Sequence, residues 1–236
     1  MEHWRGYLRR YCWIYLLIGF FFIGSALFAD RAVETMAAAE IAENTTRIVL
    51  DPGHGGQDGG AISCTGIPES RLNLEIAQRL DALFHLLGYR TTMIRTTDAD
   101  VHTEGETIAQ QKMSDLRNRV SMVNGTPNAL LISIHQNMFQ ESQYHGPQVF
   151  YANTEGSQAL AEQLQSAMVT ALDPDSKRMA KMAEGVYLMQ KINCTGVLVE
   201  CGFLSNTEEE AKLRTPEYQK QLCCVIATVV SARFHS

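Results

Sequence analysis

Four side chains in this sequence have the types and the setting for metal-assisted hydrolysis: His54, Glu69, His135 and Glu200. Three of them close an apolar run. Ile48-Val49-Leu50-Asp51 leads into Pro52-Gly53-His54, Leu130 to Ile134 ends on His135, and Val197-Leu198-Val199 ends on Glu200. Runs this apolar read as strands covered on both faces, and the carboxyl ends of parallel strands form the edge of an open α/β sheet where ligands bind. The three endings can therefore converge. Glu69 stands just before an amphipathic helix, whose partial positive charge favours an ionised carboxylate. Two histidines and a carboxylate are a common ligand set for a single catalytic zinc ion and leave the fourth position to water. Such an ion lowers the pKa of the water and polarises the carbonyl under attack. One further carboxylate must then take the water proton and pass it to the leaving amine, and Glu200 is the candidate.

Residue types and spacing leave this open, because a single histidine after a strand is more often a hydrogen-bonded structural residue. Around His54 lie Gly53, Gly55, Gly56, Gly59 and Gly60, which permit sharp turns and close backbone approach. A phosphate cradle is the rival reading of so many glycines, but neither G-x-G-x-x-G nor G-x-x-x-x-G-K-[ST] fits. Arg119 could brace a site carboxylate or form an exposed helix salt bridge. His85, His102, His145 and His235 read as structural or solvated, and Asp58 and Glu75 as solvated or outlying charges. Cys201 adjoins Glu200 but points to the opposite face of its strand.

Positioning these residues requires an α/β sandwich of three layers, a mostly parallel or mixed sheet of about six strands covered by helices on both faces. Strands are expected over Arg47–Asp51, Arg90–Arg95, Ala129–His135, Pro147–Ala152, Gly185–Met189 and Thr195–Glu200. Leu72, Ile76, Leu80, Leu83 and Leu87 recur at steps of three and four, which predicts a helix over Arg71–Leu87 ended by Gly88. Leu116, Val120 and Val123 mark a second helix, and Ser157–Leu172 a third. Thr207 with Glu210 has the form of a capping box, and Thr215-Pro216 places a cap before a proline at the first position of the last helix. Thr97–Met113 and Asp173–Glu184 read as surface loops.

The bulk properties exclude more than they assert. A formal charge of -6, with 45% apolar and 19% charged residues, describes an ordinary globular protein without the basic face that nucleic acid needs. Six cysteines form no C-x-x-C pair and read mostly as small buried apolar residues. Tyr11–Ala29 is almost uninterruptedly apolar and about the length that crosses a bilayer; Arg5, Arg9 and Arg10 precede it, so the body is directed outside the cytoplasm. The chain thus divides into a membrane anchor or signal segment (1–29), a tether (30–46) and a catalytic domain (47–236).

Four segments in order carry a resemblance. Ile48 to Gly56, Glu69-Ser70 with Leu74-Glu75-Ile76-Ala77, Ser133-Ile134-His135-Gln136-Asn137, and Leu198 to Asn206 are similar to the signatures of the zinc-dependent N-acetylmuramoyl-L-alanine amidases of the Amidase_3 type. The resemblance implies that His54, Glu69 and His135 bind zinc and that Glu200 is catalytic. It also implies the bond cut, the amide between N-acetylmuramic acid and L-alanine of peptidoglycan. Gln136 departs from the small residue frequent there and is expected at the groove, where it would alter substrate fit. Among such amidases the chain resembles the short sporulation form, the CwlD type, which implies action on spore cortex, muramic δ-lactam formation and germination. A vegetative wall amidase, a zinc peptidase acting within the stem peptide and an inactive peptidoglycan-binding scaffold are the alternatives, and whether a protein activator is needed stays open.

Overall fold

The computed structural model describes residues 46–234 and, apart from them, Phe20. The strands are β1 (Arg47–Pro52), β2 (Arg90–Met93), β3 (Ala129–Asn137), β4 (Gln148–Tyr151), β5 (Lys181–Met182) and β6 (Thr195–Phe203). Interleaved with them are α1 (Glu69–Leu86), α2 (Ile108–Asn124), α3 (Ser157–Leu172), α4 (Tyr187–Lys191), α5 (Thr207–Leu213) and α6 (Pro216–Phe234). The strands form one sheet in the order β2-β1-β3-β6-β4-β5. Strands β2, β1, β3 and β6 run parallel to one another, β4 is antiparallel to β6, and β5 is parallel to β4.

Alternation along the central strands decides the layers. Ile48, Leu50, Ile132, Ile134, Val197 and Val199 face one side, where they pack against Leu72, Ile76 and Leu80 of α1, Leu160 and Leu164 of α3, and Ile226 of α6. Val49, Leu131 and Leu198 face the other, against Val123 of α2 and Leu188 and Met189 of α4. With both faces covered, no polar side is left, which is why these runs are apolar throughout. This is the predicted sandwich, with a mixed sheet of six strands.

Several boundaries differ from the sequence reading. The stretch from Gly185 to Met189 is not a strand: Gly185 turns the chain at φ 76 and α4 follows, while the edge strand Lys181–Met182 lies in the expected loop. A five-residue apolar run carries no period that separates strand from helix. Helix α2 begins within the expected Thr97–Met113 loop, because Thr107 and Gln110 form a reciprocal capping box. The cap of α5 is Asn206, whose Oδ1 accepts the Glu208 and Glu209 N–H groups at 3.0 Å each; Thr207 is already helical. Thr215 does cap α6, its Oγ1 accepting the Tyr218 N–H at 3.3 Å.

Cys64, Cys194, Cys201, Cys223 and Cys224 are free, and Cys201 and Cys223 are buried. Cys12, the 30–45 stretch and, save Phe20, the apolar run 11–29 lie outside the described residues. Among the described residues no helix is long and apolar enough to cross a membrane.

Candidate metal centre

His54 sits on the turn after β1 with a left-handed backbone, φ 60, a conformation that costs a non-glycine residue about 1 kcal/mol or more. The turn is held from three sides. Gly55 and Asp58 exchange backbone hydrogen bonds of 2.8 and 3.1 Å, Arg119 Nη2 donates to the His54 carbonyl at 2.7 Å, and Asp58 Oδ2 lies 3.0 Å from His54 Nδ1. Lys112 Nζ, 2.9 Å from the same Asp58 oxygen, steadies that carboxylate. With Nδ1 engaged, His54 turns Nε2 toward Glu69 Oε2, 3.3 Å away.

Glu69 is the first residue of α1 and is 4% exposed. Its Oε1 lies 2.9 Å from His135 Nδ1 and accepts from the Gln136 backbone and Asn73 Nδ2, both at 3.1 Å; its Oε2 accepts from the Ala61 N–H at 3.1 Å. Burial raises its pKa, but the hydrogen bonds and charges of His135 and His54 outweigh that and hold the carboxyl well below the usual carboxylate range. Glu69 is therefore an anion in the folded protein.

His135 and Glu200 are register partners on the parallel neighbours β3 and β6, so backbone hydrogen bonds fix their separation. Glu200 Oε2 is buried without a hydrogen-bond partner. Burial pushes the Glu200 carboxyl up to about 7, with the charge of Glu69 adding to the rise and His135 and His54 opposing it. An unpartnered acceptor that titrates near neutrality suits a group that must both take and return a proton.

The candidate donor atoms of His54, Glu69 and His135 lie within 4.8 Å of one another. Zinc binds imidazole and carboxylate donors at roughly 2.0–2.2 Å, so donors shared by one ion stand at most about 4.4 Å apart. The set fits one ion after small side-chain adjustments. Its imidazole rings meet edge to face at 5.0 Å, and a cavity of ≈ 200 Å³ opens beside them, lined also by Glu200, Asp51 and Arg119. Close approach is bought with glycine at two places. A Cβ on Gly53 would stand 2.2 Å from His135 Nε2, and one on Gly60 would stand 2.6 Å from Glu69 Oε2.

Residues 48–232 match the family model of N-acetylmuramoyl-L-alanine amidases, Amidase_3. The chain belongs to that family. The amidase is 36% identical over 181 residues to the germination-specific N-acetylmuramoyl-L-alanine amidase of Bacillus subtilis, covering 76% of each chain. It superposes on the CwlD amidase of Clostridioides difficile, solved in complex with the GerS lipoprotein, with a TM-score of 0.77 and 30% identity, over 81% of this chain and 99% of that one. An N-acetylmuramoyl-L-alanine amidase from Clostridium difficile 630 gives a TM-score of 0.71 at 29% identity, over 82% and 98%.

In the amidase, the remaining sequence expectations divide. Arg119 braces Asp51, which is no part of the donor set, through Nη1, and binds Asp115 at 2.7 Å. Gln136 is not at the groove. It is 3% exposed, lies on the face opposite His135, and donates through Nε2 to Asn73 Oδ1 at 3.2 Å; alternation along β3 sends it inward. Cys201 likewise faces the core away from Glu200. His85, His102 and His145 lie apart, beside Asp81, Asp100 and Asp173, and His235 is outside the described residues.

Of three supporting residues, Asp58 was read as a solvated or outlying charge, and Asn73 and Arg95 were missed. Asp58 orients His54, Asn73 holds Glu69, and buried Arg95 donates to the carbonyls of Pro52, Gly53, Ser70 and Thr97. Asn73 had a readable signal, since a residue four after Glu69 on a helix shares its face.

Proposed function

We propose that His54, Glu69 and His135 hold one zinc ion and that Glu200 is the general base and acid of the amidase. The observation that carries this is the convergence of three donors beside a buried, unpartnered Glu200 oxygen. When bound, the ion polarises the scissile carbonyl and lowers the pKa of a water. Glu69 contributes negative charge, fixed by Asn73 and the Gln136 N–H, and Asp58 keeps the His54 ring turned inward. Glu200 Oε2 takes a proton from the attacking water as the new C–O bond forms. It returns that proton to the nitrogen of L-alanine as the C–N bond breaks, leaving a muramic carboxylic acid and a free amine.

We further place this reaction in spore cortex, where removal of the peptide precedes δ-lactam formation and prepares the wall for germination; the germination-specific relative supports this. The protein acts outside the cytoplasm, with 1–29 as membrane anchor or signal and 30–46 as tether to the catalytic domain 47–236. The C. difficile CwlD amidase was solved with a lipoprotein, which supports a protein partner here as well. Digestion of purified cortex and vegetative peptidoglycan by the zinc-loaded protein tests the reading. Release of muramic carboxyl groups and L-alanine amines is expected, whereas new termini within the stem peptide would assign the protein to a peptidase.

A further inference from the structure

A second concavity lies one strand away from Glu200. It is an open groove of ≈ 540 Å³ between the β3–β4 loop and the segment after α3, lined by His145, Gln148, Asp175, Lys177, Arg178 and Lys181 among others. Gln148, on β4, is the register partner of Glu200 on β6, so the groove adjoins the reaction centre through the sheet itself. Tyr144 brings an aromatic ring to its lining. Arg178 lies over the Phe203 ring at 4.8 Å, and Tyr144 and Phe139 pack against the same ring at 6.1 and 5.8 Å.

Two features of the lining point to a ligand. Gln148 is 2% exposed, and its Nε2 donates to three acceptors, the Val149 carbonyl, Gln165 Oε1 and the Met179 carbonyl. That fixes the amide orientation, yet its Oε1 is buried with no partner. A buried acceptor left unpaired costs about 1–3 kcal/mol, and an incoming N–H would remove that cost. Secondly, among the described residues Lys177 and Lys181 are exposed and make no ion pair or side-chain hydrogen bond, and the Arg178 guanidinium donates only to the His145 carbonyl. Asp173 is occupied by His145 at 2.9 Å, leaving Asp175 as the one carboxylate in the lining. On a chain with net charge -6, such a local excess of cations is unusual.

We propose that this groove is the stem-peptide subsite, in which Lys177, Arg178 and Lys181 take carboxylates of the peptide and Gln148 Oε1 accepts one of its amide N–H groups. The inference rests on the amide-hydrolysis reading given above. On the substrate of that reaction the lactyl carboxyl is tied up in the scissile amide, so the sugar side is neutral and the carboxylates lie on the peptide side. A groove that pairs an amide acceptor with cations fits that side.

The test has a turnover arm and a binding arm, both on the full-length zinc-loaded protein. Soluble muramoyl peptides with free stem carboxylates should show a lower KM than the same compounds with those carboxylates amidated. Lys177→Ala/Lys181→Ala, confined to exposed side chains, should raise KM for the free-carboxylate substrate about tenfold with kcat unchanged, the scale of two exposed charge contacts, and Lys177→Arg/Lys181→Arg should restore it. In the binding arm, calorimetric titration with the released stem peptide should show the same loss. Equal KM values for the two substrates, or a preference that survives in the double alanine variant, overturns the subsite. Binding of inorganic phosphate as tight as that of the peptide also overturns it. Failure to cleave either substrate counts against the hydrolysis reading, while the titration still decides the groove.

Discussion

At Gly53 the backbone passes so near the His135 ring that a single methyl group would occupy the same space. Gly53→Ala must therefore push His135 out of the donor set. A displacement of about 1 Å at a reacting centre costs on the order of 10²-fold in rate, and metal analysis of the purified variant should show reduced zinc as well. Glu200→Gln separates the proposed proton carrier from the proposed metal site. It keeps the shape, should retain zinc, and should lower kcat by roughly 10² to 10⁴-fold, the range for loss of a general acid–base; a variant with full zinc and full rate would remove Glu200 from the mechanism. At this scale the sequence was readable where a strand leads into a donor residue, as at His54 and His135, which the fold brings together with Glu69 and sets beside Glu200. The supporting residues were harder to find because their role depends on which chain segments meet: Arg95 is one arginine among many until four carbonyls surround it.

Between elements, the contact to examine is the one joining α2 to β1. Arg119 and Asp51 are both almost fully buried. Burial raises the Asp51 pKa, but the charge of Arg119 and the hydrogen bond from Ser133 prevail and leave it lowered. A carboxylate lowered in the folded state contributes stability that is complete above its unfolded value of about 3.9 and is lost as pH falls through its folded value. Urea midpoints should therefore decline below pH 4. Arg119→Met leaves Asp51 as a buried unpaired charge, which should cost roughly 3–5 kcal/mol at neutral pH. That deficit should shrink on acidification, because protonation then relieves the uncompensated charge. The elements themselves were legible in proportion to their length. Helices α1 and α3 carry several turns of periodic apolar residues, whereas α4 and β5 span five and two residues and fall below the length at which period distinguishes them. The start of α2 was hidden because its first turn is exposed to solvent and adds nothing to the buried stripe, Ile108 included, although Thr107 and Gln110 had the spacing of a capping box.

For the molecule as a whole, the donors come from the turn after β1, the start of α1 and the end of β3, so an ion there would tie three segments together. Zinc present at about 100 times its dissociation constant should stabilise the fold by about 2.7 kcal/mol, and chelation should lower Tm by roughly 5–10 °C for a domain of this size. Calorimetry before and after zinc is restored checks this, and activity should return in parallel. The two outer strands of the sheet have a different consequence. One side ends on four residues and the other on two, with Lys181 in the shorter, so another chain finds almost no bare backbone to pair with. Enzyme molecules crowded into a polymer mesh would thus have little means of stitching themselves into fibrils along the edges of this sheet.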